Sequence, residues 1–257
     1  MKIAVVVRQV PDLIEPVEIA ASEKTVDLGM ATFRANEADD FALEQAILLK
    51  EKSGGTVTVV ALDFGDVQNT LYTAAAKGAD RLITIPYDAD LPPAPKEAAA
   101  AYAQVIRGLA PELVLVGSYA HDELESTLAP LLARELGLPF VGVVRGVRPA
   151  ADGATAVVFK EFPAAALAKM TVKLPALLGI LGADQPPRYV PVSRIRALMK
   201  TAKIEEQEAA VPDASSAVTV RRLYHPAAGQ RAEILEGRPE DVAAKIAGIL
   251  KEKGVCK

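Results

Sequence analysis

The chain has 257 residues, 51% hydrophobic and 24% charged, and a formal net charge of −4. That is enough apolar material for a sizeable core in one large domain, or one domain with appendages, and the acidic balance gives no overall pull toward nucleic acid or an anionic membrane. The one cysteine, Cys256, excludes an internal disulfide or a cysteine metal site. No apolar stretch reaches the roughly 18 residues of a membrane span, and the start has no signal-peptide organisation, so a cytoplasmic protein is expected.

"KIAVVV" is a short continuous apolar run, as in a parallel strand buried on both faces. From Asn36 the period becomes helical: Ala42, Ala46 and Leu49 share a face that Leu43 and Ile47 widen. Asn36 reads as an N-cap, and Glu37, Asp39 and Asp40 suit the positive end of the helix dipole. Gly54-Gly55 stops this helix and "TVTVVAL" is the next strand. "VQNTLYTAAAK" is a helix ending at Gly78, "RLITI" a strand, and "PKEAAAAYAQVIRGLA" a helix opened by Pro95. "ELVLVG" is a strand; "SYAHDELEST" is the loop that leads into the next helix. This alternation predicts an α/β fold, doubly wound around a mainly parallel sheet.

After Gly137 the character changes. "FVGVV", "TAVVF" and "MTVKLPALLGIL" are strand-like with little helix between them, and "GADQPPRYVPVSR" breaks the pattern with three prolines. Residues 195–211 are basic then acidic, compatible with a helix of weak core pattern. "VTVRRLYHPAAG" is extended and turn-like, and "RPEDVAAKIAGILKEKG" is a terminal helix with Pro239 in its first turn and Gly254 as its stop. The expected division is a nucleotide-binding core, residues 1–187, and a C-terminal arm, residues 188–257, carrying the terminal helix.

Nucleophile and metal chemistry find little support. The two histidines, His121 and His225, stand in no metal-ligand spacing, and no G-x-S-x-G, G-x-G-x-x-G or Walker A sequence occurs. Asp39 and Asp40 read as a solvated first helical turn rather than acid–base machinery. No catalytic residue is expected. What remains is the carboxyl edge of the sheet, where open α/β folds bind ligands and where "RQVPD", "DFGD" and "GSYAHDELEST" should meet. Ser126 and Thr127 could cap the following helix, or their hydroxyls and the free N–H groups could hold a phosphate; the residues alone leave both open.

Several segments in order resemble one family. "KIAVVVRQVPD", "NEADDFALEQAILLKEK", "TLYTAAAKGADR", "PELVLVGSYAHD", "VKLPALLGIL", "PPRY" and "HPAAGQ" are similar to successive motifs of the β subunit of electron transfer flavoproteins, over nearly the whole chain. The resemblance implies an adenine nucleotide alpha hydrolase-like fold, a heterodimer with an α subunit, and electron shuttling from flavin-dependent dehydrogenases, such as acyl-CoA dehydrogenase-like enzymes, to a downstream acceptor. It implies an electron carrier rather than an enzyme, with FAD held mainly by the α subunit and AMP in this one. In an electron-bifurcating branch a second FAD takes the AMP site, and "RQVPD" and Asp39 lean that way. Carried over by position, nucleotide contacts fall at Val6, Asn36, Leu62, Asp122, Glu123, Ser126, Thr127 and Leu128. The segment after "PRY" matches a recognition loop for the client dehydrogenase, with Val192 as apolar anchor, Ile195 behind it and Arg194 on a charged rim.

Departures fall on the same loop. Asp122 and Pro130 are kept, but Thr127 replaces a usual Gln, Ser126 a Gly or Asn, and Leu124 a frequent Asp. Glu37 replaces a Pro, and Ala165 and Ala166 replace a glycine pair. A carboxylate such as Glu123 or Glu125 repels a phosphate unless it points away. Two other readings stand beside the electron-transfer subunit: an adenine-nucleotide binder or hydrolase of the same fold, and a structural subunit whose nucleotide site has decayed.

Overall fold

Lys2–Val6 forms strand β1, and its alternate side chains enter opposite halves of the core. Ile3 and Val5 join one apolar cluster while Ala4 and Val6 join the other, as happens when both faces of a parallel sheet are covered. The computed structural model describes residues 1–14, 17–123, 126–211, 219–227, 229 and 232–255; Leu124, Glu125 and Cys256, weighed above, lie outside them. Two small antiparallel ribbons follow β1: β2 (Gln9–Pro11) pairs with β5 (Phe33–Ala35), and β3 (Glu18–Ile19) with β4 (Val26–Asp27). Neither ribbon was expected, because two- and three-residue strands are too short to show a period.

The rest runs α1 (Glu37–Ser53), β6 (Thr56–Leu62), α2 (Val67–Lys77), β7 (Arg81–Ile85), α3 (Pro95–Leu109), β8 (Leu113–Gly117), α4 (Leu128–Leu136), β9 (Phe140–Pro149), β10 (Thr155–Phe162), β11 (Ala166–Lys173), β12 (Ala176–Ile180), α5 (Val192–Leu198), β13 (Ile204–Glu206) and α6 (Pro239–Glu252). The main sheet has the order β11-β10-β9-β12-β8-β1-β6-β7-β13. From β9 to β13 all neighbours are parallel; β10 and β11 form an antiparallel extension. Helices α1 and α2 pack on one face, α3 and α4 on the other. This is the doubly wound, mainly parallel architecture the alternation predicts.

Residues 195–211 are not helical throughout. Helix α5 ends at Leu198, and β13 adds an edge strand beside β7, locked by an Arg81–Glu205 ion pair of 2.8 Å. Three residues that gain their pairing only from a distant strand carry no local signal. One compact unit spans Met1–Arg222, so it includes α5 and β13; the other spans Leu223–Lys257. In the second unit α6 buries none of its residues, and Ile246 and Ile249 are 45% and 39% exposed. Half-buried Val242 and exposed Ile246 and Ile249 recur at helical spacing, an apolar stripe with no fully buried member.

Helix α1 departs from a simple amphipathic pattern. Alongside Ala42, Leu43, Ala46, Ile47 and Leu49 it buries Asp39, Glu44 and Gln45. A buried charge must be paired, and each of these side chains has a partner far away in the chain. In the turn between β10 and β11, Ala164 and Ala165 both have positive φ, 61° and 59°. The left-handed pair thus falls one residue earlier than the alanines matched above to a glycine pair; glycine adopts this conformation without the Cβ penalty.

Candidate functional site

Strand β1 lies between β6 and β8. The chain builds outward from β1 through β6 and β7, then crosses back to place β8 on the other side of β1. The loops leaving β1 and β8 therefore part at a topological switch point, where open parallel sheets form a crevice at the strands' carboxyl ends. Arg8 leaves β1 there, the N-terminus of α1 sits beside it, and Gly117 opens the loop after β8.

Arg8 joins these three pieces. Its backbone N–H and Nε both donate to Asp39 Oδ2, at 3.0 and 2.9 Å, and Nη2 donates to Asp39 Oδ1 at 3.0 Å. Nη2 also reaches the carbonyls of Gly117 and Tyr119, at 3.5 and 3.2 Å. Nη1 donates to Glu123 Oε1 at 2.9 Å. Asp39 accepts a further bond from the Gly117 N–H at 2.8 Å. A Cβ on Gly117 would stand 2.4 Å from Asp39 Oδ1 and 2.7 Å from Asp39 N, so only glycine lets β8 approach α1 this closely. Asp39 is fully buried. The expected solvated helical turn is thus corrected: its Asp39 is the buried counter-ion of Arg8, while Asp40 pairs with Lys77.

Burial disfavours the Arg8 cation, but Asp39 and then Glu123 more than offset this and hold it charged well beyond the usual range. Glu123 is pushed the other way: burial raises its carboxyl above the ordinary range more than Arg8 lowers it. Its Oε2 is buried and has no partner among the described residues.

The expected nucleotide contacts gather at this edge. Val6 ends β1 and Leu62 ends β6, both buried; the Leu62 N–H donates to the hydroxyl of buried Tyr102 at 3.2 Å. Asn36 is fully buried and its backbone starts α1, yet its side chain makes no cap bond. Its Nδ2 donates instead to the Tyr119 carbonyl at 2.8 Å, and its Oδ1 has no partner among the described residues. Asp122 and Glu123 follow His121, whose Nε2 lies 2.8 Å from the Pro11 carbonyl. Ser126 has φ 49°, and Thr127 precedes α4 without a side-chain cap bond. Capping therefore does not use the Thr127 hydroxyl. Leu128 is the buried first residue of α4.

The expected partner residues lie elsewhere in the same compact unit. Val192 begins α5 and is 57% exposed, Arg194 is exposed and Ile195 half-buried. The expected anchor position sits on the first turn of a short helix instead of a loop.

Arg8, Asp39 and Gly117 are the members of the cluster absent from the expected contacts. The available signal was a cation directly after an apolar strand, with an acid one helical turn into the next helix. A cavity of about 280 Å³ lies beside the cluster, lined by Gln9, Phe33, Asp39, Asp66 and Thr70 among others. A second, of about 480 Å³, opens at the strands' amino ends between Ile106, Leu136, Leu138, Leu174 and Pro175. Among the described residues no group of His, Cys, Asp and Glu could hold a metal, and no helix is long and apolar enough to cross a membrane.

Comparison with known proteins gives one consistent result. The model of the electron transfer flavoprotein domain matches residues 30–214. The electron transfer flavoprotein subunit beta of Methylophilus methylotrophus is 32% identical, over 98% of this chain and 98% of that one. The protein of the same name from Syntrophomonas wolfei is 30% identical, over 98% and 96%. That from Clostridium acetobutylicum is 28% identical, over 98% and 99%.

Proposed function

This chain belongs to the electron transfer flavoprotein family as a β subunit, and on that premise we propose that it holds an adenine nucleotide at the carboxyl edge of its sheet while its α subunit carries the redox flavin. The family's role is electron transfer, and its bound flavin supplies the redox chemistry. What this chain's own residues contribute is binding, orientation and choice of partner.

The observation that carries the nucleotide reading is Asn36 Oδ1, a fully buried acceptor without a partner among the described residues. An orphaned buried acceptor costs about 1–3 kcal/mol, and a ligand amine or hydroxyl would relieve it. Thr127, unused in capping, adds a hydroxyl beside the free N–H groups at the start of α4. These groups fit an adenine nucleotide, AMP or the adenylate half of a second FAD. One residue fits poorly: Glu123 places a carboxylate on Arg8 in the same loop.

The test is direct. The purified α/β complex is denatured and the released nucleotides are identified by mass. FAD with AMP in equal amounts supports the AMP form, and two FAD per heterodimer support the bifurcating form. FAD alone, at one per heterodimer, refutes a nucleotide in this subunit.

Partner choice is assigned to two surfaces. The apolar stripe of α6 is the α-subunit contact, since an amphipathic helix with none of its residues fully buried gains stability against a partner. Val192 is the anchor for the client dehydrogenase: it is apolar, exposed, and flanked by exposed Arg194 and Arg196. Val192→Ala should raise the client's KM several-fold without altering the flavin spectrum. Unchanged electron delivery from the native dehydrogenase across a range of salt would refute the anchor.

A further inference from the structure

We propose that Glu123 is a displaceable latch on Arg8, and that the phosphate of a bound adenine nucleotide takes its place. This rests on the nucleotide reading above and adds which residue reads the phosphate and what it must displace.

The guanidinium of Arg8 is divided between two sets of partners. Nε and Nη2 donate to Asp39 on α1 and to the carbonyls of Gly117 and Tyr119. Asp39 and Gly117 belong to a packed helix and a packed strand, so that side of Arg8 is held by the fold itself. Among the described residues Nη1 has one partner, Glu123, which belongs to the loop after β8. Removing Glu123 therefore frees one N–H direction and leaves the cation in place, already oriented.

Glu123 is poorly satisfied where it sits. Only Oε1 is paired; Oε2 is buried without a partner among the described residues. Asp39 pairs with the same cation, so Glu123 shares Arg8 with a second carboxylate. A carboxylate with one oxygen satisfied loses little on returning to water. A phosphate oxygen at the point now held by Oε1 lies at charge-assisted hydrogen-bond distance from Nη1. The Asn36 side chain is adjacent, because it and Arg8 Nη2 share the Tyr119 carbonyl. An adenosine unit can thus meet Asn36 while its phosphate meets Arg8. With Glu123 in place the two anions compete for one donor, which weakens a phosphorylated ligand and leaves an unphosphorylated one untouched.

The test compares AMP with adenosine on the purified α/β complex freed of AMP, by calorimetric titration of wild type, Glu123→Gln and Glu123→Ala. The glutamine keeps an acceptor for Nη1 without the charge, and the alanine removes the latch. Both variants should bind AMP about tenfold or more tightly than wild type, about 1.4 kcal/mol, with adenosine affinity unchanged. AMP binding no tighter in either variant, while adenosine still binds, overturns the latch and leaves the nucleotide reading standing. An equal gain for adenosine also overturns it, since a merely loosened loop would do that. Binding of neither ligand by any of the three proteins overturns the nucleotide reading, and the latch with it.

Discussion

Two arginines hold this chain together in nearly the same way and differ in what lies around them. Arg8 and Arg188 each direct a backbone N–H and the guanidinium onto one carboxylate of α1, Asp39 for the first and Glu44 for the second; both backbone bonds are 3.0 Å. Each then reaches a second carboxylate, Glu123 or Glu51. The Arg8 side chain is 11% exposed, however, and that of Arg188 30%, with Glu51 at 53%. Arg188 pins the segment after β12 to the flank of α1 with water nearby. Arg8 does its pinning inside the crevice, where every unmet polar atom carries a cost. The same side-chain geometry is a clamp in one place and a candidate ligand reader in the other, and solvent makes the difference.

Substitutions can break that contrast. The largest effect belongs to Asp39→Ala, which strands Arg8 as a buried cation and opens the contact with Gly117. It should destabilise the folded chain by about 3–5 kcal/mol, read as a lowered denaturation midpoint of the α/β complex. A loss below about 1 kcal/mol would mean that Arg8 finds other partners and the cluster is not held by Asp39. At the other end, Glu51→Gln should change stability by less than about 0.5 kcal/mol. The Arg188 hydrogen bond and then its charge hold the Glu51 carboxyl below its ordinary range. Its small contribution is therefore present above the usual glutamate pKa and lost as the pH falls through the depressed folded value. A large stability loss on this substitution at neutral pH would make the two clusters equivalent and end the comparison.

Much of the fold was legible. Continuous apolar runs marked the strands of the doubly wound sheet, because a strand buried on both faces has no need to alternate. Pro95 and Gly78 marked helix boundaries through their own backbone chemistry. The failures have a common cause. The strands β2 to β5 and β13 are a few residues each, and their pairing partners are supplied by tertiary structure. Asp39 was misread for a related reason: an acid in the first turn of a helix suits the dipole whether it faces water or a buried arginine, so the sequence pattern is degenerate. The carboxyl edge as the place of the candidate site follows from topology alone. Its electrostatic centre does not, since Arg8, Asp39 and the loop of Gly117 and Glu123 come from three separate segments and no spacing rule links them.

Arg8 also says something about the order in which the molecule comes together. Its bonds to Asp39, the Gly117 carbonyl and Glu123 span 31, 109 and 115 residues. The entropy of closing such loops is largely met by pairing β1 with β8 and seating α1, and the arginine's bonds form only once those elements are in register. The crevice floor is thus expected to form late in folding, and its opening need not take the sheet apart. Substitutions there should act mainly on how fast the native state is lost, and little on how fast it is reached, which folding and unfolding rates of Asp39→Ala would check.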